Sequence, residues 1–493
     1  MTHTPQTEEE FQAAMPISGT VETFFGDFEL DHCFPTKDTA QRVYDLMDHQ
    51  RAAQLFLWAI PLVSMTRWRI GYESIYGAFD DNVLVSVTRF NERRGILTAN
   101  ETTDYFFGFS NTKQAATVLV IPEGLMVGMI VDMWQQSPSD IGIFGPNDGR
   151  GGTHVIVGPN TPDAAVPEPA DGQLVHRVAS DRVLFVMRAI GDEDEVADLV
   201  SRIHLYNHGD EPGLSIIDGE DTFTAQYQPR GLAFWEMLHQ GINDEVVAER
   251  DRLFMYWLRT LGIEKGEPFE PSERQKAILE DGARVGELMA KTLVYNERLE
   301  GVLRQNNWRM ILGGDWGDGI KNSQRMTNYD IFDPRARYCY EAVTTSPAMT
   351  IPTPGKAQAY LGKFEDEDGV RLHGGERYEI RINGPVPAEL FWSVVIYDAD
   401  TRCIIDNRDG AAGGKATMGS RTPGLRTNPD GSYSMLLSPD PPPAGWEANH
   451  VQTISGRGWF PYFRAYGAAA SFFDGTYTYP TVNRVTDFTH VTG

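Results

Sequence analysis

Cysteine is scarce in this sequence: Cys33, Cys339 and Cys403 are the only three in 493 residues. An odd number with no Cys-x-x-Cys spacing excludes a disulfide framework and a thiolate zinc site, and it suits a reducing compartment. Long apolar runs are missing as well. No window approaches the roughly 18 to 20 continuous apolar residues that a membrane-spanning helix needs. Met1 to Met15 lack the basic start and apolar stretch of a secretory leader. The expectation from these absences is a cytoplasmic protein. Basic residues are the third shortage: 43 Lys and Arg stand against 69 Asp and Glu, a formal charge of −26. Such a chain repels phosphate backbones and anionic lipid, so neither nucleic acid nor a membrane is an expected partner. The acidic residues are scattered and read as a solvated surface.

Several catalytic signatures are missing too. There is no Gly-x-Ser-x-Gly run of the kind that presents a nucleophilic serine on a strand-to-helix turn. His204 and His208 lie four residues apart without the glutamate of a His-Glu-x-x-His zinc helix, and read as a surface pair. The glycine-rich stretch from Gly142 to Gly152 lacks a Gly-Lys-Ser/Thr ending, and His154-Val155-Ile156-Val157 continues behind it as a strand. It reads as a tight loop and not as a phosphate cradle. No organic cofactor is expected. A divalent-metal site near Asn147 and Asp148 is compatible with the carboxylates present, although no EF-hand or nonapeptide spacing supports it.

What the chain does have is apolar and aromatic mass: 41% hydrophobic residues, with 10 Trp, 19 Tyr and 25 Phe. That is enough for two cores at a length where a single core stops growing. The stretch Val21 to Leu30 alternates and could pair as an edge strand after a poorly ordered start. Thr36, Asp38 and Thr39 offer caps for a helix in which Val43, Leu46, Met47, Ala53, Leu57 and Trp58 recur at helical spacing up to Pro61. Between Asn82 and Val157 short β-branched runs read as strands, among them Val83–Val87, Ala116–Ile121 and Leu125–Val131. A strand at Val183–Arg188 precedes a helix capped by Asp192 and running to about Tyr206. From Gly213 to about Gly313 the period is helical: residues 230 to 240, Asn243 to Leu261, and a helix from Glu273 to about Leu299 opened by the Ser272–Gln275 capping box. Beyond Pro352 nearly everything alternates, with turns at Asn407, Gly410, Asn428–Gly431 and Pro439–Gly445, which points to about eight strands in a sandwich or jelly roll.

The fold expected is therefore α+β and mostly β: a tail and edge strand over 1–35, a β-rich domain over 36–212, a helical linking segment over 213–345, and an antiparallel β-sandwich over 346–493. Two groups of residues stand out chemically. Asp104, Asp132 and Asp140 fall among strands beside Tyr105 and Trp134, where apolar rings raise a carboxylate's pKa for acid–base work. In the last domain Trp392, Tyr397, Trp459 and Tyr466 accompany Arg464, with Arg426 and Asn449 in nearby turns, an aromatic wall with guanidinium groups suited to a carboxylate or hydroxyl-bearing ligand.

The motifs Phe34-Pro35-Thr36-Lys37-Asp38-Thr39, Trp58-Ala59-Ile60-Pro61 and Gly145-Pro146-Asn147-Asp148-Gly149, followed by Phe391-Trp392-Ser393, Asn428-Pro429-Asp430-Gly431-Ser432 and Gly458-Trp459-Phe460 with Arg464-Ala465-Tyr466-Gly467, resemble a family. It is the bacterial tandem in which a domain of unknown function numbered 1254 precedes one numbered 1214. The resemblance implies a β-rich first domain and a jelly-roll-like second one, and it carries no settled activity. The family's Asn-x-Asp-Thr-x-Tyr signature stands here as Asn100-Glu101-Thr102-Thr103-Asp104-Tyr105, with Thr102 in place of aspartate, and its Asn-Trp pair stands as Asn449-His450.

The leading expectation is an enzyme without organic cofactor, a hydrolase or lyase candidate acting on a small or medium organic molecule in a polar, aromatic cleft between two β domains. Tyr105 and Asp104 are its acid–base candidates. Asn100, Thr103, Trp392, Arg426, Asn449, Arg464 and Tyr466 are its binding candidates. The rival is a non-catalytic ligand-binding or self-assembling β scaffold, and a homo-oligomer is compatible with either. Convergence of Asn100, Tyr105 and Arg464 on one pocket separates the two readings.

Overall fold

The computed structural model describes residues 6–78, 82–296, 305–312, 332–350, 354–355, 358–408 and 414–492. The expected helix end at Leu299, the limits at Gly313 and Pro352 and the turn at Gly410 lie outside the described residues. The architecture is α+β, with two β domains and helices between them.

The start of the chain is more ordered than its polarity suggests. A helix, α1 (Glu8–Ala14), is opened by a Thr7–Glu10 capping box. The alternating stretch is a hairpin of two strands, β1 (Gly19–Thr23) and β2 (Gly26–Asp31), extended by β3 (Phe34–Pro35). Gly26, at φ +112°, takes the turn conformation that a side chain resists, which splits the expected single strand.

The helix opened by Thr36 runs past its expected end: α2 spans Lys37–Tyr76 with Pro61 inside it. Proline removes one N–H and crowds the preceding turn. Here the surrounding residues, Leu55 to Trp68 nearly without exception, are buried, so packing outweighs the local penalty.

The first β domain is two layers and includes a short helix, α3 (Phe90–Arg93). A six-stranded sheet has the order β13-β4-β5-β11-β7-β8, built from Ser215–Asp218, Val83–Val87, Asp104–Asn111, Arg182–Ala189, Met126–Asp132 and Ser139–Gly142. A four-stranded sheet orders β10 (Gln173–Arg177), β9 (Gly152–Val157), β6 (Thr117–Ile121) and β12 (His204–Asn207). Alternation divides the six-stranded sheet's side chains between two cores. Leu84, Phe106, Ile130 and Phe185 face the four-stranded sheet. Val85, Phe107, Val131 and Val186 face α2 and the centre of the molecule. Strand β12 corrects the sequence expectation, because the helix capped by Asp192 is short (α4, Glu193–Ser201) and His204 lies in a strand paired with β6. The backbone prefers the open edge of that sheet to another helical turn.

In the middle, α5 (Leu232–Asp244) and α6 (Arg252–Thr260) replace the expected longer helix from Asn243. The break falls at Glu245, whose buried carboxylate accepts the backbone N–H of Asp181 (3.0 Å) and ion-pairs with Arg182 (3.1 Å). Satisfying those groups pulls the chain out of helical register. Helix α7 (Glu273–Tyr295) starts at the expected capping box and packs along α2. The contact is close because Gly282 and Gly286, one turn apart, face Ala52 and Phe56. A helix at Phe332–Glu341, unread from the sequence, completes this layer.

The last domain is a sandwich. One sheet orders β14 (Arg309–Met310), β15 (Gln358–Gly362), β21 (Trp459–Ala468), β17 (Ala388–Asp398) and β18 (Thr417–Gly419); the other orders β20 (His450–Gln452), β19 (Tyr433–Ser438), β16 (Arg377–Ile382) and β22 (Thr481–Val485). Among the described residues no helix is long and apolar enough to cross a membrane.

A Cβ added at Gly286 would lie 2.4 Å from Phe56 Cβ. Gly286→Ala gains about 1 kcal/mol of helix propensity, but overpacking of this kind costs about 1–3 kcal/mol. We expect a lower urea midpoint for the variant. An unchanged or raised midpoint would mean that α2 and α7 separate freely.

Candidate functional site

Two sheet faces meet at the centre. On the first, Tyr105 of β5 pairs with Arg188 of β11, Arg188 with Val127 of β7, and Met129 of β7 with Asp140 of β8. Residues paired across neighbouring strands project to one side, so Tyr105, Arg188, Val127, Met129 and Asp140 share a face. On the second, Tyr466, Arg464 and Tyr462 alternate along β21, with Gln358 and Tyr360 of β15 beside them. Between the faces lies a cavity of about 110 Å³. Its sides are the loop Ile96–Asn100, Trp68 of α2, and a segment that includes Tyr338, Thr344 and Met349.

Of the residues singled out in the sequence, Asn100, Tyr105, Arg464 and Tyr466 line this one cavity. Asn100 Nδ2 donates to the Tyr466 hydroxyl (2.7 Å), and its backbone N–H donates to the Tyr105 hydroxyl (3.2 Å). Thr102 Oγ1 donates to Asn100 Oδ1 (2.8 Å). Asn100 Oδ1 also accepts the Thr102 backbone N–H (3.1 Å), so Thr102 fixes the amide through both its hydroxyl and its backbone. Thr103 sits just behind the cavity, where its hydroxyl accepts from Arg188 Nε (2.7 Å). Arg464 donates to the Tyr397 hydroxyl (2.5 Å) and to the Thr98 carbonyl (2.7 Å).

Four of the nominated residues stand elsewhere. Asp104 neighbours Tyr105 in the strand and therefore points to the opposite side, where Arg93 pairs with it at 3.0 Å. Trp392 pairs with Ala465, the opposite parity of β21 from Arg464, and packs inside the sandwich against Tyr433. Arg426 and Asn449 bind each other: Asn449 Oδ1 accepts the Arg426 N–H (2.8 Å), and Asn449 Nδ2 donates to the carbonyls of Arg426 (3.0 Å) and Ser434 (2.9 Å). They brace turns of the outer sheet. His450, the family's tryptophan position, is buried beside Ser438 in that same region, and burial pushes its imidazole down to about 4.

The three aspartates also separate. Asp132 is buried and pushed up to about 6, but Oδ1 accepts the N–H groups of Trp134 (2.9 Å) and Gln136 (2.8 Å), the bonding of a turn. Asp140 opens on the cavity. Burial raises its carboxyl to about 6, against the pull of the Ser346 hydroxyl and the Ala348 N–H at 2.8 Å.

Arg188 was not singled out from the sequence. It is 8% exposed, and its Cζ lies 5.3 Å from the Tyr105 ring and 5.4 Å from the Tyr466 ring. Burial opposes its charge, and the phenols of Tyr466, Tyr105 and Tyr360 outweigh that, leaving its pKa above the ordinary arginine value. The legible signal was an arginine in phase with Leu184 and Val186 on a strand of otherwise apolar inward positions. Among the described residues no group of three or more His, Cys, Asp or Glu side chains is arranged to hold a metal. Asn147, in the loop considered for one, donates to the Gly151 carbonyl (2.8 Å).

Two family models match the chain, one on each side of the cavity. The profile of DUF1254, a protein of unknown function, matches residues 82–207, and that of DUF1214, also a protein of unknown function, matches residues 357–470. Arg188 and Tyr105 lie in the first match, Arg464 and Tyr466 in the second. The chain is similar to the VPA0106 protein of Vibrio parahaemolyticus, at 16% identity and a TM-score of 0.52 over 89% of this chain and 100% of that one, which shows a shared fold. It is also similar to an uncharacterized protein of Burkholderia cenocepacia, at 12% identity and a TM-score of 0.42 over 90% of this chain and 96% of that one. No curated protein matches.

Asp140 generates a prediction. Its folded pKa, about 6, lies above the ordinary 3.8, so the folded state holds the proton more tightly and loses stability as pH rises between those values. At neutral pH the penalty is of order 3 kcal/mol. Asp140→Asn keeps an acceptor for the Ala348 N–H without the charge. Its stability relative to wild type should rise from pH 4 to pH 7, read as the difference in urea midpoints, and a difference independent of pH would show that the carboxyl is solvated.

Proposed function

We propose that this chain, which carries a DUF1254 domain followed by a DUF1214 domain, is an enzyme without organic cofactor that acts on a small organic molecule in the cavity between its two β domains. The reaction class we favour is hydrolase-like or lyase-like. The observation that supports it is the convergence of Asn100, Tyr105, Arg464 and Tyr466, from both domains, on one cavity.

Tyr105 is the acid–base group best placed for the work. Its oxygen is held by the Asn100 N–H, and its own proton is donated to no group among the described residues. Two guanidinium groups flank its ring, Arg188 at 5.3 Å and Arg93 at 6.0 Å, positions from which they stabilise negative charge developing nearby. Asp140, poised near pH 6, is a second proton carrier on the same face. Asp104 is withdrawn from this role by its orientation.

The scaffold reading draws on a different feature. The β1–β2 hairpin exposes Phe24 (96%) and Phe34 follows it (72%), aromatic surface that suits self-association.

The test is a thermal-shift screen against organic acids, esters, sugars and divalent metals, followed by product analysis on whatever binds. A ligand at ~100 times its Kd adds about 2.7 kcal/mol. Tyr105→Phe should keep the shift and lose ~10²–10⁴-fold in turnover. Ligands that bind without any product favour the scaffold, and a screen in which nothing shifts removes the cavity as a small-molecule site.

A further inference from the structure

Two buried arginines face the cavity, and their hydrogen bonding differs. Arg464 is committed to Tyr397 and Thr98. Arg188 is held at Nε by the Thr103 hydroxyl and lies against the Tyr466 hydroxyl, while its Nη2 is buried with no partner of hydrogen-bond geometry. Among the described residues no carboxylate pairs with it. A buried guanidinium with an unmet N–H is unfavourable, and native proteins keep one where something else brings the acceptor. The hydroxyls of Tyr105 and Tyr466, which accept from Asn100 and donate to nothing described, stand beside it as further donors.

The chemistry of that acceptor is constrained. One open guanidinium edge and two phenols match a planar monoanion, whereas a phosphate dianion would need the second arginine, which is engaged. Beyond Arg188 the same sheet face continues with Val127, Val186 and Met129, apolar ground for a hydrocarbon body. An engineered cavity of about 150 Å³ is enough for benzene, so the present one, at about 110 Å³, takes a molecule of comparable or smaller size. Asp140 closes the far end, two strands across and two residues along from Arg188, which is roughly 12 Å between Cα atoms at ordinary sheet spacing.

We infer that the ligand of this cavity is a small carboxylic acid, seated with its carboxylate on Arg188 Nη2 and its apolar body directed along the sheet toward Asp140. This rests on the reading of the cavity as a small-molecule site and names the class of molecule. Arg188 is then the anion anchor, and Arg464 a positioning residue.

Calorimetric titration of the full chain with butyrate and crotonate, against their uncharged isosteres butyramide and crotonamide, tests it. At least one acid should bind, its amide at least about 30-fold more weakly, and Arg188→Gln should weaken the acid by a similar factor while leaving any amide binding within about threefold. Equal affinity for acid and amide, or an acid affinity untouched by Arg188→Gln, would overturn the inference. If the variant fails to fold, the acid-to-amide ratio of the wild type decides alone. Failure of both acids to bind also overturns it. Neutral ligands found by the broader screen would leave the cavity reading standing, so the two ideas fail separately.

Discussion

Arg464 sits where the two β domains meet, and what surrounds it explains why a cavity forms there. Its guanidinium reaches from β21 to the Thr98 carbonyl and to the Tyr397 hydroxyl, which in turn donates to the Ala99 carbonyl. The loop they grip is also stitched to the second domain by backbone: Thr98 N–H donates to the Arg402 carbonyl at 2.9 Å, and Leu97 bridges Cys403. That loop leads directly into Asn100, Thr103 and Tyr105. The positions of Asn100, Thr103 and Tyr105 are therefore referred to the second domain through this loop and the buried cation that grips it. Among the described residues no carboxylate offsets that cation; burial opposes its charge, and the phenols of Tyr397, Tyr466 and Tyr105 hold its pKa above the usual arginine value. Dispersing a buried charge over neutral oxygens avoids the desolvation of a second ion.

A second buried polar chain holds the cavity's other wall. Arg309 forks onto both oxygens of Glu341 at 2.8 Å, and the Tyr462 hydroxyl donates to the same carboxylate at 2.6 Å. Strand β14, the helix Phe332–Glu341 and β21 are thus tied by one buried carboxylate that accepts from both an arginine and a tyrosine. The close approach of α2 and α7 allowed by Gly282 and Gly286 sets the layer against which both networks rest. Rigid walls matter because a guanidinium left open at Nη2 keeps its position only if its surroundings leave no room to turn toward a carbonyl.

Much of this was legible from the sequence, and the failures have a common physical origin. Short alternating runs located the central strands of both domains, although β12 and β13 fall in stretches that read as helical, and the caps at Thr36 and Ser272 located the starts of the two longest helices, because those signals are local. What failed depended on partners far along the chain. Pro61 stays within its helix because buried neighbours outweigh a local penalty. The helix from Asn243 breaks because Glu245 has an engagement with residues 181 and 182. The candidate site divides in the same way. Asn100, Tyr105, Arg464 and Tyr466 stood out as polar groups in apolar motifs and do share a cavity, whereas Arg426 and Asn449 are polar groups in turns, where side chains are consumed by neighbouring backbone. Trp392 and Asp104 lie one residue off in parity. Strand periodicity names the two faces of a sheet without saying which one meets the other domain.

That parity also accounts for how the cavity's chemistry is divided. The face of the six-stranded sheet supplies the open cation, Arg188, and the titratable carboxyl, Asp140. The opposing face supplies groups already engaged: Arg464 with Tyr397, Tyr462 with Glu341, and Tyr360, whose hydroxyl is turned to Gln358. One domain carries the charges a ligand would meet, and the other fixes the geometry in which it would meet them. Near pH 6 the Asp140 proton alters the field along the sheet without touching a bond to Arg188, so ionisation at one end of the cavity bears on charge held at the other through space alone. The separation of the two groups, with apolar residues between them, keeps them from neutralising each other as an ion pair, so the cavity has a cationic end and a separate carboxyl end.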